Sequence, residues 1–258
     1  MFLREQIVID THCHLDHAAF SHDRQRVLER CREVGVEQLV MPGVTLGGFP
    51  DLVALADSTR HVALGLHPCF LLSHPANALI ALEQWIKGSP CIAVGEIGLD
   101  FRADRSQHER QRSLLAAQLD LAEKYRLPVI LHVIKAHDQT LALLRQKQPP
   151  SGGIVHSFNG SLQQANQYIE LGFVLGFGGV VTRDRSHKIK TVAAALPDSA
   201  LVLESDAPDL PPAGHEDERN EPSYLPIVVQ TLTRLRQVSE SELIRTTVEN
   251  SKKILNIA

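Results

Sequence analysis

The sequence predicts an α/β fold, a (β/α)8 (TIM) barrel formed by a single domain over residues 1–258. Short runs rich in β-branched residues alternate with stretches of helical periodicity, and they begin roughly 28 residues apart, the length of one strand-plus-helix unit. The runs are almost wholly apolar, as in parallel strands that helices cover. Acidic and histidine side chains follow the ends of several runs, where a barrel builds its active site.

The predicted strands follow one another with no long linker between them. In chain order they span residues 7–12, 37–43, 61–68, 91–98, 128–133, 153–158, 173–179 and 201–208. Among the predicted helices, residues 109–125 carry one apolar stripe that runs from Leu114 to Tyr125. Ser239 and Glu242 match a capping box at the start of the last helix.

An open, doubly wound sheet is the alternative arrangement of the same units. Such a sheet usually carries a glycine-rich phosphate-binding turn after its first strand. In this chain the first strand leads instead into the sequence DTHCHLD, residues 10–16, which contains two histidines. The barrel is therefore the favoured architecture.

Composition excludes some classes of function. The net charge of −4 gives no overall basic surface, so contacts with nucleic acid would have to come from local patches. No run approaches the ~18 apolar residues of a membrane span. Arg4 and Glu5 interrupt the apolar N-terminus, unlike a signal peptide, and a cytoplasmic location is expected. The four cysteines form no Cys-x-x-Cys pair and are expected to be isolated thiols.

Six potential metal ligands follow five of the eight predicted strands. Parallel strands in a barrel end at one rim, so these side chains should meet there. They are His12 and His14 after strand 1, Glu96 at strand 4, His132 at strand 5, His156 at strand 6 and Asp206 at strand 8. A single histidine or carboxylate at a strand end is usually structural. Their shared placement is what indicates a metal site.

The first strand explains why two histidines are separated by one residue. Side chains alternate along a strand, so Asp10, His12 and His14 should face the barrel mouth while Thr11 and Cys13 face the helices. Two imidazoles at this spacing can bind one ion. Asp10 lies deeper, and we expect its carboxylate to orient an imidazole and not to bind metal itself.

Four imidazoles and two carboxylates exceed the needs of one ion with an open position. They suit two divalent ions roughly 3.5–4 Å apart. We expect His12, His14 and Asp206 to hold one ion, His132 and His156 to hold the other, and Glu96 to bridge them. The nitrogen and oxygen donors favour zinc or manganese, and magnesium is compatible. Such a site activates water for hydrolysis, with Glu96 and Asp206 as catalytic residues and Asp206 as proton acceptor.

A family resemblance covers almost the whole chain. In addition to DTHCHLD, the motifs are GLHP at 65–68, VGEIGLDF at 94–101, PVILH at 128–132, GIVHSFNGS at 153–161, ESDAP at 204–208 and RNEP at 219–222. In this order they resemble the TatD family of metal-dependent deoxyribonucleases, within the amidohydrolase superfamily. The resemblance implies a two-metal barrel with the six ligands named above. It also implies DNA as the partner and phosphodiester hydrolysis, often as a 3′–5′ exonuclease.

Three positions depart from the pattern of that family. Ile134, followed by Lys135, stands where an arginine is usual, Asp209 where an aromatic residue usually follows DAP, and Glu218 where a basic residue often precedes RNEP. Losing an arginine removes a forked phosphate contact, and added carboxylates repel a polyanion. These changes weaken the inference to DNA and do not touch the metal ligands.

Several residues at the same rim are candidates for binding substrate. Basic residues follow strand 4 and strand 7, and they could flank a backbone-binding groove or be solvated helix faces paired with nearby acids. They are Arg102, Arg105, Arg110 and Arg112, then Arg183, Arg185, Lys188 and Lys190. His67 could contact substrate or water at the metal, or simply precede a proline turn. Arg219 and Asn220 could contact substrate or position the loop after strand 8.

Three functions are therefore compared. The first is a two-metal phosphodiesterase that acts as a monomer and whose substrate class, as the resemblance implies, is DNA. The second is an amidohydrolase-like enzyme that cleaves C–N or C–O bonds of a small molecule; such enzymes often bridge their metals with a modified lysine, whereas this chain has a glutamate. The third is a metal-dependent binder without catalysis, which a ligand set with room for water disfavours.

Overall fold

The computed structural model describes residues 7–149 and 151–258. Within these ranges eight parallel strands are ordered β1 to β8 around a nearly closed barrel. The strands are β1 (Val8–Asp10), β2 (Val36–Pro42), β3 (Arg60–Ala63), β4 (Cys91–Asp100), β5 (Val129–Ile134), β6 (Gly153–Val155), β7 (Phe173–Phe177) and β8 (Leu201–Leu203). The predicted barrel is confirmed, although β1, β3, β6, β7 and β8 end two or more residues earlier than their apolar runs.

Helices follow the strands and cover the outside of the barrel. They are α1 (Arg24–Glu33), α2 (Phe49–Ala54), α3 (Ala78–Gly88), α4 (Arg105–Tyr125), α5 (His137–Lys147), α6 (Leu162–Glu170), α7 (His187–Ala195), α8 (Leu225–Arg236) and α9 (Glu240–Leu255). The hydroxyl of Ser239 caps α9 by accepting a hydrogen bond from the Glu242 amide at 3.2 Å. In the ranges described, no helix has the length and apolar character needed to cross a membrane. Arg4 and Glu5 lie outside the described residues.

The barrel interior below the rim is filled by one buried apolar side chain from each strand from β2 to β8. They are Val40, Ala63, Ala93, Ile130, Ile154, Val174 and Val202. Because side chains on one face of a strand recur every second residue, His132 stands above Ile130 and His156 above Ile154. The apolar layer therefore forms the floor on which the polar residues of the rim stand.

Backbone hydrogen bonds just past β1 and β8 join the two ends of the barrel. The Asp206 amide donates to the His12 carbonyl at 2.9 Å, and the His14 amide donates to the Ala207 carbonyl at 2.8 Å. These bonds bring the segment that contains both histidines alongside the segment that contains Asp206. The closure of the barrel thus positions three of the predicted ligands directly.

Two buried glutamines of α4 hold the carboxyl ends of β4 and of the segment after β3. Gln118 accepts from the Leu66 amide at 2.7 Å and donates to its carbonyl at 3.1 Å. Gln111 makes the same pair of bonds with Asp100, at 2.9 and 3.1 Å. Since His67 follows Leu66 and Asp100 ends β4, the helix fixes the height of two polar side chains at the rim.

Candidate metal centre

The first group of side chains at the rim forms a compact triangle of donor atoms. The Nε2 atoms of His12 and His14 are 3.3 Å apart. Oε2 of Glu96 lies 3.3 Å from the first and 3.5 Å from the second. Donors bound about 2.0–2.2 Å from one tetrahedral zinc ion lie roughly 3.3–3.6 Å from each other. The triangle therefore has the edge lengths that a single shared cation requires.

The other oxygen of Glu96 faces a second group of imidazoles. Its Oε1 lies 3.0 Å from Nδ1 of His132, 3.2 Å from Nε2 of His67 and 3.8 Å from Nε2 of His156. The Glu96 side chain is almost fully buried, so both its oxygens face the side chains of the rim and not water. Glu96 thus stands between the two histidine groups, as a bridging carboxylate would.

Asp206 lies beside both groups. Its Oδ1 is 3.8 Å from Nε2 of His12 and 3.9 Å from Nε2 of His14, and its Oδ2 is 3.7 Å from Nε2 of His156. Its backbone has a positive φ of 60° at this position, which turns the side chain of the loop toward the mouth. All six predicted ligands therefore meet at one end of the barrel.

The donor set fits divalent cations. The donor atoms of His12, His14 and Asp206 lie within 4.8 Å of one another, and so do those of Glu96, His132 and His156. Among the described residues, Nδ1 of His12 is buried without a hydrogen-bond partner, as is one oxygen of Glu204. Concentrating carboxylates and imidazoles away from water is unfavourable unless a cation or shared protons compensate. The residues present therefore suit divalent cations bound through nitrogen and oxygen.

The electrostatics of the cluster show that its acids and imidazoles compete for protons. Burial raises the pKa of Asp206 to about 7 although His156 favours its ionised form. Burial opposes a charge on His156, but Glu204 and Asp206 raise its pKa to about 9. Burial also disfavours the Glu96 anion, yet the surrounding imidazoles hold its pKa well below the usual range. A cation bound here would replace these protons, so metal binding should release them.

Glu204 is a site residue that the sequence analysis did not identify. Its Oε1 accepts a hydrogen bond from the Ser157 amide at 2.6 Å and lies 3.2 Å from Nδ1 of His156. The side chain is fully buried. Glu204 therefore supports the ring of His156 from below, the role that carboxylates commonly have behind metal-binding histidines. Its position two residues before Asp206 on the same face of the chain was the available signal.

Asp100 and Cys69 are further residues that the sequence analysis missed. Oδ2 of Asp100 lies 3.1 Å from Nε2 of His132 and accepts a hydrogen bond from the Cys69 thiol at 3.2 Å. Donor atoms of Cys69, His67 and His132 lie within 4.8 Å of one another. Asp100 belongs to the GLDF sequence after Glu96, four residues along the same strand, and this spacing could have identified it.

Asp10 acts differently from the prediction. Its Oδ1 accepts hydrogen bonds from the backbone amides of His12 at 3.1 Å and Ser205 at 2.9 Å. The prediction that this carboxylate orients an imidazole ring is therefore wrong: it holds the backbone of the two segments that carry His12 and Asp206. Burial raises the pKa of Asp10 to about 7 against the effect of these hydrogen bonds.

A cavity of about 580 Å³ opens above the cluster. His14, His67, Glu96, His132, His156 and Asp206 line it. Arg102 also lines it, with its guanidinium hydrogen-bonded to Asp100 and its side chain 58% exposed. Arg105, the first residue of α4, is exposed but is not among the residues that line the cavity. Of Arg102 and Arg105, both predicted to contact substrate, only Arg102 lines the cavity.

Arg219 and Asn220 hold the loop after β8. Arg219 donates to both oxygens of Asp23 at 2.7 Å and lies over the ring of Phe20. Asn220 is buried and donates to the carbonyls of Ser205 and Asp209 at 2.7 and 2.6 Å. Neither residue lines the cavity. Their contacts therefore favour the alternative, a role in positioning the loop, over contacts with substrate.

The remaining basic residues have varied surroundings. Arg112 pairs with Glu109 at 2.9 Å, which matches a solvated helix face. Arg183 donates to the Pro211 carbonyl at 2.9 Å, and Lys188 donates to the Asn159 carbonyl at 3.0 Å. Arg183 thus helps to hold the loop after β8 against the turn after β7.

Two of the three departures from the family pattern lie at the cavity. Ile134 and Asp209 both line it. Glu218 instead accepts a hydrogen bond from Tyr224 at 2.8 Å and lies 2.8 Å from Nδ1 of His215. Near the metal ligands the chain therefore presents one apolar and one acidic side chain where arginine and an aromatic ring were expected.

Comparisons with known proteins give the same family from sequence and from structure. The family model described as TatD related DNase matches residues 9–256. An uncharacterized metal-dependent hydrolase, YjjV of Escherichia coli (strain K12), is 40% identical and covers 96% of this chain and 98% of its own. The crystal structure of YjjV, a TatD homolog, superimposes with a TM-score of 0.94 at 39% identity, over 97% of this chain and 98% of that one.

A more distant relative carries a more specific description. It is the 3′-5′ ssDNA/RNA exonuclease TatD of Erwinia tasmaniensis (strain DSM 17950 / CFBP 7177 / CIP 109463 / NCPPB 4357 / Et1/99). This relative is 28% identical and covers 97% of this chain and 100% of its own. Of these two relatives, the one described as a nuclease is therefore the less similar to this chain.

Proposed function

The chain belongs to the TatD-related DNase family of metal-dependent hydrolases, and we propose that it is a two-metal phosphodiesterase that removes nucleotides from the 3′ end of DNA. The proposal takes the ligands in two groups: His12, His14 and Asp206, then His132 and His156. Glu96 bridges the groups. Zinc or manganese best match these donors, and magnesium is compatible.

The observation that carries this proposal is that each oxygen of the Glu96 carboxylate faces a different histidine group. Oε2 lies 3.3 Å from Nε2 of His12, and Oε1 lies 3.0 Å from Nδ1 of His132. A single ion would need only one of these oxygens. The two oxygens of Glu96 could each hold one ion, and a pair of ions held in this way would supply the charge stabilisation that phosphoryl transfer needs.

The residues around the cavity supply the remaining chemistry. When bound, the cations lower the pKa of an attacking water and neutralise charge on the phosphoryl oxygens. Asp206 is the proton acceptor, because its carboxylate lies beside both histidine groups, with Oδ1 3.8 Å from Nε2 of His12 and Oδ2 3.7 Å from Nε2 of His156. His67, 3.2 Å from Glu96, faces the same space and is a candidate to contact the substrate.

DNA as the substrate is supported by the family and by local charge. Arg102 lines the cavity and offers the guanidinium nitrogens not taken by Asp100 to a phosphate. The relative from Erwinia tasmaniensis is described as acting on single-stranded DNA and RNA. A monomer in the cytoplasm is the accompanying expectation for this chain.

Hydrolysis of C–N or C–O bonds in a small molecule is the second candidate. It is favoured by Ile134 and Asp209, which give the cavity fewer contacts for a polyanion than arginine and an aromatic ring would. A glutamate in place of a modified lysine between the metals favours the phosphodiesterase.

An assay with defined metals separates the two candidates. Protein reconstituted with zinc, manganese or magnesium is given end-labelled single- and double-stranded DNA, RNA, simple phosphodiesters and a panel of amides. We expect metal-dependent release of nucleotides from the 3′ end. Asp206→Asn should abolish it, whereas Asp51→Asn, an exposed change on α2, should not. Cleavage of amides with every nucleic acid left intact would overturn the proposal.

A further inference from the structure

A second cavity, here called the side pocket, lies beside the cavity of about 580 Å³ above the candidate metal centre, here called the metal cavity. Its volume is about 180 Å³. Ile134, Ser157 and Leu210 line both spaces. Ile134 is two residues after His132, and Ser157 directly follows His156. The entrance of the side pocket is therefore formed by residues adjacent in sequence to two of the proposed metal ligands.

The side pocket differs from the metal cavity in its chemistry. Phe158 and Phe177, whose ring centroids are 6.5 Å apart, are buried in its wall. Val180 and Ile189 contribute further apolar surface from the turn after β7 and from α7. None of the described residues that line it is ionisable. A substrate that reaches both spaces would therefore have a charged part and an apolar part.

The side-chain amide of Asn159 and the backbone amide of Ser157, both at the side pocket, are already used by the protein. The amide nitrogen of Asn159 donates to the carbonyls of Val133 and Ser157 at 3.0 and 3.1 Å, and its oxygen lies 3.1 Å from Nε2 of His137. The Ser157 amide donates to Glu204. The other lining side chains are mostly apolar, so a ring with polar edges would lose hydrogen bonds to water here, which is unfavourable. A hydrocarbon ring makes no hydrogen bonds to water and would lose none on entering the side pocket.

The size of the side pocket suits one such ring. An apolar cavity of about 150 Å³ in another protein binds benzene. The side pocket is slightly larger, so it can hold a phenyl ring together with the carbon that links it to an ester oxygen. Asp209, on the wall of the metal cavity, disfavours further phosphates nearby.

We propose that the side pocket binds an uncharged hydrocarbon ring next to the scissile phosphodiester, with Ile134 at its entrance as a specificity-determining residue. The inference rests on the proposed phosphodiesterase and adds an activity toward small phosphodiesters with an aryl substituent. The charged ester occupies the metal cavity, and the ring is removed from water beside it.

Two substrates with the same leaving group test this preference. Benzyl 4-nitrophenyl phosphate and methyl 4-nitrophenyl phosphate release the same phenolate, so their difference reports on the retained substituent. We expect kcat/KM to be about tenfold higher for the benzyl ester. Equal values for the benzyl and methyl esters would overturn the proposal.

Two variants test whether the side pocket is the source of the preference for the benzyl ester. Ile134→Arg places a charge at the entrance and should reduce the benzyl-to-methyl ratio to about one. Ile80→Arg makes the same change on α3, where Ile80 is 64% exposed, and should leave the ratio unchanged. An unchanged ratio in Ile134→Arg would show that the ring binds elsewhere.

Binding measured without turnover separates this proposal from the proposed function. Calorimetry on metal-loaded protein compares benzylphosphonate with methylphosphonate. Benzylphosphonate that binds about tenfold more tightly than methylphosphonate supports the side pocket even if neither ester is cleaved. The absence of cleavage would then count only against the proposed phosphodiesterase. Equal affinities would overturn the side pocket as a ring-binding site whether or not the esters are hydrolysed.

Discussion

Oε1 of Glu204 lies 3.2 Å from Nδ1 of His156, and both side chains are buried below the rim. The same oxygen accepts a hydrogen bond from the Ser157 amide at 2.6 Å. One carboxylate thus supports a proposed metal ligand and the backbone of the residue that follows it. The ring of His156 can then present Nε2 to the cavity.

Glu204→Gln tests this support. The amide keeps the size of the side chain and removes its charge, so metal affinity should fall by about 10- to 100-fold, as for other carboxylates behind metal-binding histidines. Isothermal calorimetry with zinc measures the change. Glu216→Gln, at an exposed position in the loop after β8, is the control. Unaltered affinity in Glu204→Gln would mean that His156 needs no carboxylate behind it.

Arg102→Ala tests the contact with nucleic acid. Arg102 lines the cavity, whereas Arg105 does not. For single-stranded DNA, losing one phosphate contact should lower affinity and reduce the slope of log affinity against log salt by about 0.7. Fluorescence anisotropy over a range of salt concentrations measures both. Arg105→Ala should have the smaller effect, and equal slopes in all three proteins would assign Arg102 to the support of Asp100 alone.

Gln118→Leu tests how α4 fixes the rim. The substitution fills a similar volume but leaves the buried amide and carbonyl of Leu66 without their partners. The free energy of unfolding should fall by about 2 kcal/mol. Urea denaturation measures this, with Gln139→Leu at an exposed site on α5 as the control. A loss no greater than in the control would remove the proposed role of the glutamine.

The pair of Arg30 and Glu221 predicts a dependence of stability on pH. Arg30 donates to the two oxygens of Glu221 at 2.7 and 2.6 Å. Burial favours the neutral acid, but hydrogen bonds from Arg30 and Ser223 outweigh it and lower the pKa of Glu221. A lowered pKa in the folded state contributes stability above the ordinary glutamate pKa, and this contribution is lost as pH falls through the folded value.

Comparison with Glu221→Gln isolates that contribution. The original protein should be more stable than the variant near neutral pH, and the difference should shrink between about pH 5 and about pH 3. Urea unfolding at several pH values checks it. Glu249→Gln, in an exposed pair with Arg245, should change stability little. A difference independent of pH would contradict the ionic origin of the effect.

Much of the barrel was predictable because its signals are local. Each strand is a short apolar run, and parallel strands must bring their carboxyl ends to one rim. His132 and Asp206 could therefore be placed together although they are distant in sequence. The periodicity did not show where strands end: β8 stops at Leu203, and the residues after it form the loop that turns Asp206 inward.

Other features depend on partners far apart in the chain. Glu204 contacts Ser157 across 47 positions, and Arg219 pairs with Asp23 across 196. Nothing near Arg219 distinguishes a residue that holds a loop from one that binds phosphate. The pairing with Asp23, at the start of α1, shows that Arg219 holds the loop. These two residues come close together only because the barrel is closed.

Metal content per chain tests the central claim most directly. Equilibrium dialysis against zinc or manganese, followed by elemental analysis, should give about two ions for the original protein and at least one fewer for Glu96→Ala, since Glu96 faces both histidine groups. Asp51→Asn should retain the full content. A content of about one ion or fewer in the original protein, or undiminished content in Glu96→Ala, would contradict a pair of ions bridged by this carboxylate.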